Sequence, residues 1–364
     1  MEFPRDIFIQ QLEGSTPEYR SAIIHYTDKL LANNLPVIYS LKHFAGIVGI
    51  DESELYRIMA NMDGYYAYFT IKKKHGKKRR RIVVPYQNLK RIIAAIAGKA
   101  RRINVIMPFL YESRQHRRTG RESLDCALAL QELIQMGVEN IITFDAHDPR
   151  IQNAIPLHGF ETVQSAYQFI KNLLKKEKDL KLDKEHLMVI SPDEGGMSRA
   201  IYLANNLGVD MGMFYKRRDY STIVDGRNPI VAHEFLGADV RGKDMIIVDD
   251  MISSGDSMLE VAQLLKDRGA NKIFMCSTFG LFTNGMTKFD EAYEKGTFDR
   301  ILTTNLIYQT PELLSKPYYI NCDMSKYIAL IIDTLNHDDS ISKLLNPVER
   351  IQKVLTKYRN NETI

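Results

Sequence analysis

The sequence predicts an α/β fold built on parallel sheets, and three observations carry that reading. Short apolar runs rich in β-branched residues alternate with stretches whose apolar residues recur at helical spacing. Within the runs successive positions are apolar, as in strands buried on both faces. Five of the runs are followed at once by a polar or charged cluster: SRQHRR, DAHD, SPDEGG, KRR and DDMISSGDS. Parallel strands joined by helical crossovers bring their carboxyl ends to one edge, where open α/β sheets bind ligands.

Composition sets the frame. At 364 residues the chain is long enough for two cores. Its hydrophobic share of 45% and charged share of 26% suit a soluble protein. No stretch of about 18 apolar residues is present, so no membrane partner is expected. The opening MEFPRDIFIQQ carries acids where a secretion signal would have an apolar core. Cys126, Cys276 and Cys322 lack CxxC spacing, which points to reduced thiols and a cytoplasmic location.

Residues 1–88 have their own character. Tyr19–Asn33, Leu41–Val48 and Glu52–Met62 read as helices, and Tyr65–Ile71 and Arg81–Val84 as strands. KKKHGKKRR joins the two strands with Gly76 at the turn, which predicts a β-hairpin with a basic tip. Much of the chain's positive surplus lies there, in Lys72–Arg81. Such a tip either meets nucleic-acid phosphates or is simply solvated.

From Leu89 the alternation begins. A helix over Leu89–Ala100 precedes a buried strand at Ile103–Phe109, and the basic loop Ser113–Arg121 follows. Ser123–Met136 is a helix ended by Gly137, and Ile141–Phe144 a strand leading into Asp145-Ala146-His147-Asp148. Further strands are expected at Leu187–Ile190, Met211–Phe214, Met245–Val248, Lys272–Cys276 and Arg300–Thr303, with a helix over Arg199–Asn206. Beyond Asp338, a stripe of Leu344, Leu345, Val348, Ile351, Val354 and Leu355 predicts a packing helix.

The stretch Gly242–Leu265 organises the rest. A buried strand ends in Asp249-Asp250, a tight loop Ser253-Ser254-Gly255-Asp256-Ser257 follows, and Met258, Val261, Ala262 and Leu265 begin a helical stripe. Backbone amides at a helix start, small side chains and hydroxyls make an anion cradle suited to phosphate. The neighbouring carboxylates suit sugar hydroxyls or a hydrated Mg²⁺. The other clusters supply cations from Arg114, Arg117, Arg118, Lys216, Arg217 and Arg218, and metal-competent groups from Asp145, His147 and Asp193. Cationic clamps plus hard oxygen ligands are what phosphoryl-type transfer needs.

The order of SRQHRR, FDAHD, SPDEGGMSRA, YKRRD and VDDMISSGDS over about Leu89–His337 resembles the ribose-phosphate pyrophosphokinase family. That resemblance implies two phosphoribosyltransferase-like lobes with parallel sheets, and transfer of the diphosphate of ATP to ribose 5-phosphate. It implies ATP contacts from Arg114 and Gln115, and Mg²⁺ held by His147 and Asp193 with Asp145 close by. Lys216 would be the catalytic lysine with Arg218 beside it. Asp249 and Asp250 would take the ribose hydroxyls and Ser253, Ser254, Gly255, Asp256 and Ser257 the 5-phosphate. A homo-oligomer is expected, as the family builds its active sites between subunits.

Three features depart from the family pattern. Ser253 replaces an acid, and Asp256 stands where glycine is common, so its charge would repel a phosphate unless it points away. The segment between Lys216 and Asp249, carrying DGRNPIVAHEF, is lengthened and would close over ATP. Finally, residues 35–91 resemble instead the fingers of retron and group II reverse transcriptases, without the YxDD turn of a polymerase. The expected organisation is therefore a lead-in with a basic hairpin (1–88), an incomplete first lobe (89–156), a complete second lobe (157–337) and a terminal helix (338–364). A silent regulatory relative and a nucleic-acid-binding fusion are the rival readings.

Overall fold

The computed structural model describes residues 68–69, 80–96, 98, 100–118, 120–218 and 230–364. These fall into two compact units: the part up to Val163 with Met324–Leu345, and Gln164–Asp323 with Asn346–Ile364. The three helices expected before residue 63 and the basic turn 72–79 lie outside the described residues.

In the first unit β1 (Tyr68–Phe69), β2 (Asn104–Ile106), β3 (Asn140–Phe144) and β4 (Gly159–Val163) pair in that order, each neighbouring pair parallel. Helix α1 (Arg80–Ile96) follows β1, and α2 (Asp125–Gln135) joins β2 to β3. Tyr86, Leu89, Ile93 and Ile96 recur at helical spacing, and all are buried with Val105, Ile141, Leu130 and Leu133. The Tyr86 hydroxyl lies 2.9 Å from both Ala129 O and Glu132 Oε2, and its ring stacks on Tyr111 at 4.4 Å.

The expected hairpin is corrected here. Arg81–Val84 lies inside α1, and β1 pairs in parallel with Asn104–Val105 instead of doubling back on its neighbour in sequence. The run Ile82-Val83-Val84 favours a strand locally, but the helical stripe that begins at Tyr86 has a core to enter and carries the segment with it. β1 also adds an edge to the sheet of the first lobe, which the sequence reading had begun only at Leu89. The border between lobes shifts as well: β4 belongs to the first sheet, so the handover falls at Val163 instead of residue 156.

The second unit opens with α3 (Ala166–Lys176), followed by β5 (Leu187–Ser191), α4 (Met197–Leu207), β6 (Asp210–Arg218), β7 (Ile230–Leu236) and β8 (Asp244–Ile252). It continues with α5 (Asp256–Asp267), β9 (Ile273–Gly280), α6 (Thr287–Glu294), β10 (Arg300–Thr304), α7 (Pro311–Ser315) and β11 (Tyr319–Cys322). Among the described residues the sheet order is β11-β10-β9-β8-β5-β6-β7, parallel except for the antiparallel pair β6–β7. The lengthened segment before Asp249 thus supplies an edge strand at Ile230–Leu236; residues 219–229 lie outside the described residues.

Strand periodicity sorts this sheet into two cores. Val189, Ile246, Val248, Phe274 and Cys276 face α3 and α4 on one side. Met188, Ile190, Met245, Ile247 and Met275 face α5 and Phe289 of α6 on the other. Every residue from Met245 to Val248 is buried, which is why that run is continuously apolar. The chain then returns to the first unit through α8 (Ser325–Asn336) and α9 (Ser342–Leu345). Tyr327 of α8 meets Phe144 edge-on at 6.3 Å. Helix α10 (Val348–Arg359) closes the chain, and Ile351, Val354 and Leu355 join the core of α3 and α4, whereas Val348 is exposed and Leu344 and Leu345 lie on the separate helix α9.

At the opposite, amino-terminal edge of the sheet Glu177 accepts from Lys272 Nζ and Arg300 Nε, both at 2.9 Å. Burial would raise its carboxyl, but the hydrogen bonds from Lys272 and Arg300 outweigh this and hold it below the ordinary value. A depressed carboxylate stabilises the fold above its unfolded-state pKa, and that contribution is lost as the pH falls through the folded one. Glu177→Ala is expected to cost about 1–3 kcal/mol at neutral pH and to flatten the acid side of the stability profile. Thermal melting from neutral to acid pH checks both; parallel wild-type and variant curves would refute the assignment.

Candidate active site

From β5 the chain winds outward to β6 and β7, then comes back to β8 on the other side of β5. This reversal makes the carboxyl ends of β5 and β8 the topological switch point, where an open sheet leaves a crevice. The loops that emerge there are 192–196 and 253–255, the second running straight into α5. Gly196 lets them sit together: a Cβ on it would lie 2.8 Å from Ser191 Oγ and 3.4 Å from the Val248 carbonyl.

Asp193 is fixed in the first loop. Its Oδ1 accepts from the Gly195 and Gly196 amides at 2.9 and 3.2 Å, and Ser191 Oγ donates to its carbonyl at 2.6 Å. Arg199, one turn into α4, donates to the Gly195 carbonyl at 3.2 Å. At the end of β8, Asp250 is buried and its amide donates to Asp249 Oδ1 at 2.9 Å. Burial pushes the Asp249 carboxyl well above its ordinary range, the charges of Asp250 and Asp193 push it further, and Arg199 opposes them. The fold thus gathers Asp193, Asp249, Asp250 and Arg199, four groups separated by up to 57 positions in the chain.

The second loop turns on Gly255. It is left-handed at φ +89°, and a Cβ there would lie 2.1 Å from the ring of Phe289. Leu259 N donates to the Gly255 carbonyl at 2.9 Å, which starts α5 immediately after the turn. The chain thereby presents Ser253, Ser254, Asp256 and Ser257 around a helix N-terminus, the arrangement that favours an anion. The Asp256 carboxylate is engaged elsewhere: Lys288 Nζ lies 2.6 Å from its Oδ1. Hydrogen bonding to Lys288 and Ser254 lowers its pKa.

In the first unit a second cluster forms where the basic loop after β2 meets the turn after β3. His116 Nε2 lies 3.4 Å from Asp148 Oδ2, and the His116 and His147 rings are 5.4 Å apart. Arg150 Nε donates to Asp148 Oδ1 at 2.9 Å; its side-chain hydrogen bonds hold the Asp148 carboxyl down at about 2. Asp145 takes a left-handed backbone at φ +41°, its amide donating to the Val163 carbonyl at 2.8 Å. Arg114 and Gln115 sit on the His116 loop, Arg114 exposed and Gln115 partly buried. Lys216, Arg217 and Arg218 occupy the last three positions of β6, Lys216 paired in register with His233.

Sequence reasoning passed over His116 and Lys288. His116 lay inside a quoted motif but was overshadowed by its arginine neighbours. Lys288 is 32 positions from Asp256, and no local pattern links them.

A mostly parallel sheet covered by helices on both faces, with acids and a hydroxyl-rich turn at its switch point, is the phosphoribosyltransferase class of fold. The phosphoribosyl transferase domain model matches residues 160–316, and the model of the N-terminal domain of ribose phosphate pyrophosphokinase matches residues 69–137. A ribose-phosphate pyrophosphokinase of Mycoplasma genitalium is 30% identical over 214 residues, 58% of this chain and 60% of that protein. One of Vibrio cholerae is 29% identical over 252 residues, 68% of this chain and 75% of its own length. The crystal structure of phosphoribosylpyrophosphate synthetase from Mycobacterium smegmatis superposes with a TM-score of 0.61 at 21% identity, covering 76% of this chain and 83% of that one. Over these residues the chain is similar to the ribose-phosphate pyrophosphokinase family. It spans about 60% of the length of the Mycoplasma relative. The match from residue 69 overlaps the stretch likened to reverse-transcriptase fingers and assigns its described part to the synthetase N-terminal domain instead.

Proposed function

We infer that the protein transfers the diphosphate of ATP to ribose 5-phosphate, giving phosphoribosyl pyrophosphate and AMP. The observation that carries this reading is the continuous path from Asp249 and Asp250 into the left-handed Gly255 turn and the start of α5. Carboxylates able to accept from sugar hydroxyls and a turn able to take a phosphate lie close together along it, which supports a ribose phosphate as the ligand. Ser253, Ser254, Ser257 and the loop amides take the 5-phosphate, while Asp249 and Asp250 accept from the ribose hydroxyls.

In the transfer the anomeric hydroxyl oxygen bonds to the β-phosphorus as that atom's bond to the α–β bridging oxygen breaks. The hydroxyl proton passes to solvent and AMP leaves with the bridging oxygen, which keeps the electron pair of the broken bond. Arg114 and Gln115 are the proposed ATP contacts, and Lys216 and Arg218 stabilise charge moving along the phosphates.

Mg²⁺ fits the donor set. Among the described residues no three His, Cys, Asp or Glu side chains form a complete metal cage. Mg²⁺ needs none, because it keeps waters and takes one or two carboxylates plus substrate phosphates. Asp193 of the second unit, and His147 and Asp145 of the first, are each proposed as such a ligand, and the mutual repulsion around Asp249 is what a nearby cation would relieve. When bound, the ion neutralises phosphate charge. Assembly as a homo-oligomer belongs to the same reading. Among the described residues no helix is long and apolar enough to cross a membrane. The test is direct: AMP should form from ATP only when ribose 5-phosphate and Mg²⁺ are both supplied. AMP release that ignores ribose 5-phosphate would overturn the reading.

A further inference from the structure

The segment after β9 braces the anion loop at every level. Leu281 N donates to the Ile252 carbonyl at 2.8 Å and Thr283 N to the Ser253 carbonyl at 2.9 Å. Phe289, fully buried, fills the space over Gly255, and Phe282 meets it edge-on at 5.1 Å. Lys288, the residue before Phe289, reaches the exposed Asp256 carboxylate at 2.6 Å. The anchor holds Lys288 in place: its helix cannot drift while Phe289 is locked against the turn.

Asp256 is an odd residue for this loop. A carboxylate at the first helical position suits the helix dipole, yet it competes with any anion bound at the same amides. Beside a phosphate dianion an uncompensated carboxylate would be repelled in proportion to its proximity. The cation that offsets it comes from a different element, the start of α6.

We propose that Lys288 is a specificity-determining positioning residue of the phosphate loop, which draws the Asp256 carboxylate aside so that the loop accepts the 5-phosphate of ribose 5-phosphate. This rests on the function proposed above. Lys288 does its work on Asp256, so the two residues form a unit: the acid is tolerated only with its cation. Exposed ion pairs contribute little to folding, and here each partner's side chain is 58% exposed. The effect therefore falls on ligand affinity.

The experiment is a double-mutant cycle on the full-length protein, read by calorimetry with ribose 5-phosphate. Lys288→Ala should weaken binding roughly three- to tenfold, with the loss shrinking at high ionic strength. Lys288→Arg should restore it. Asp256→Asn alone should bind at least as tightly as wild type, and Asp256→Asn in the Lys288→Ala background should bring affinity back within about twofold of wild type. ATP affinity, measured alongside, should stay unchanged in all of them. A pair that merely tied the loop to α6 would weaken binding in both single variants and show no recovery in the double one, which would overturn the proposal. If Lys288→Ala folds poorly, Asp256→Asn still decides: weaker binding there refutes it. Wild-type protein that binds ATP but no ribose 5-phosphate would overturn the functional reading itself, and this inference with it.

Discussion

Gly255→Ala is expected to abolish measurable ribose 5-phosphate binding and to lower the stability of the second unit. Two penalties act together. A left-handed backbone costs a residue with a Cβ about 1–2 kcal/mol. The new methyl would also lie 2.1 Å from the Phe289 ring, far inside contact distance. Phe289 is fully buried in the same core as Phe298 and Met286 and meets Phe282 edge-on, so it has little room to give way. Relief must come from the loop, at an overpacking cost of about 1–3 kcal/mol. The displaced atoms are the amides and hydroxyls that would hold the phosphate. Phosphate-dependent binding should therefore collapse even where the sheet survives. Calorimetry and thermal melting together check this. A variant with wild-type affinity for ribose 5-phosphate would show that the loop does not hold the phosphate.

Much of this site is legible in the chain because each of its parts is local. Asp249 and Asp250 lie in one strand and the serine-rich turn follows it without a gap, and the strand announces itself by its continuous apolar run. The same holds for Ile141–Phe144 and Leu187–Ile190, expected within a residue of where β3 and β5 lie. Elements whose role depends on a distant partner were harder. β11 (YINC) and β4 (GFETV) are short and half-polar, and they become strands because β10 and β3 offer free edges. No strand is expected at β7, since Ile230–Leu236 gains its strand character by pairing back on β6. The hairpin expected at Arg81 failed for the converse reason: β-branched residues were judged without the helical stripe beyond them. The Asp256–Lys288 pair follows the same rule, since the sequence raises the problem of the acid while only the fold supplies its cation.

Lys216→Ala is expected to reduce turnover roughly 10²–10³-fold while leaving ribose 5-phosphate affinity within a few-fold of wild type. The position of Lys216 in the sheet carries the argument. Ser191, the last residue of β5, pairs with Met213 of β6, so β6 runs on past the end of its neighbour. Lys216 stands three residues beyond that register, on the edge where Asp193, Asp249 and the Gly255 turn emerge. That edge is rich in carboxylate, and a polyphosphate brought to it needs cations from the next strand. Residues 216–218, Lys-Arg-Arg, are the cations the sequence places there. A compact ammonium serves best where charge shifts between phosphate oxygens during transfer, because its hydrogen bonds can turn with the developing charge. The planar fork of Lys216→Arg should therefore restore little of the lost rate. Steady-state kinetics with saturating ATP, set beside calorimetry for ribose 5-phosphate, separates the two effects. Turnover within a few-fold of wild type would remove Lys216 from the chemistry, and an equal loss of sugar-phosphate affinity would make it a binding residue instead.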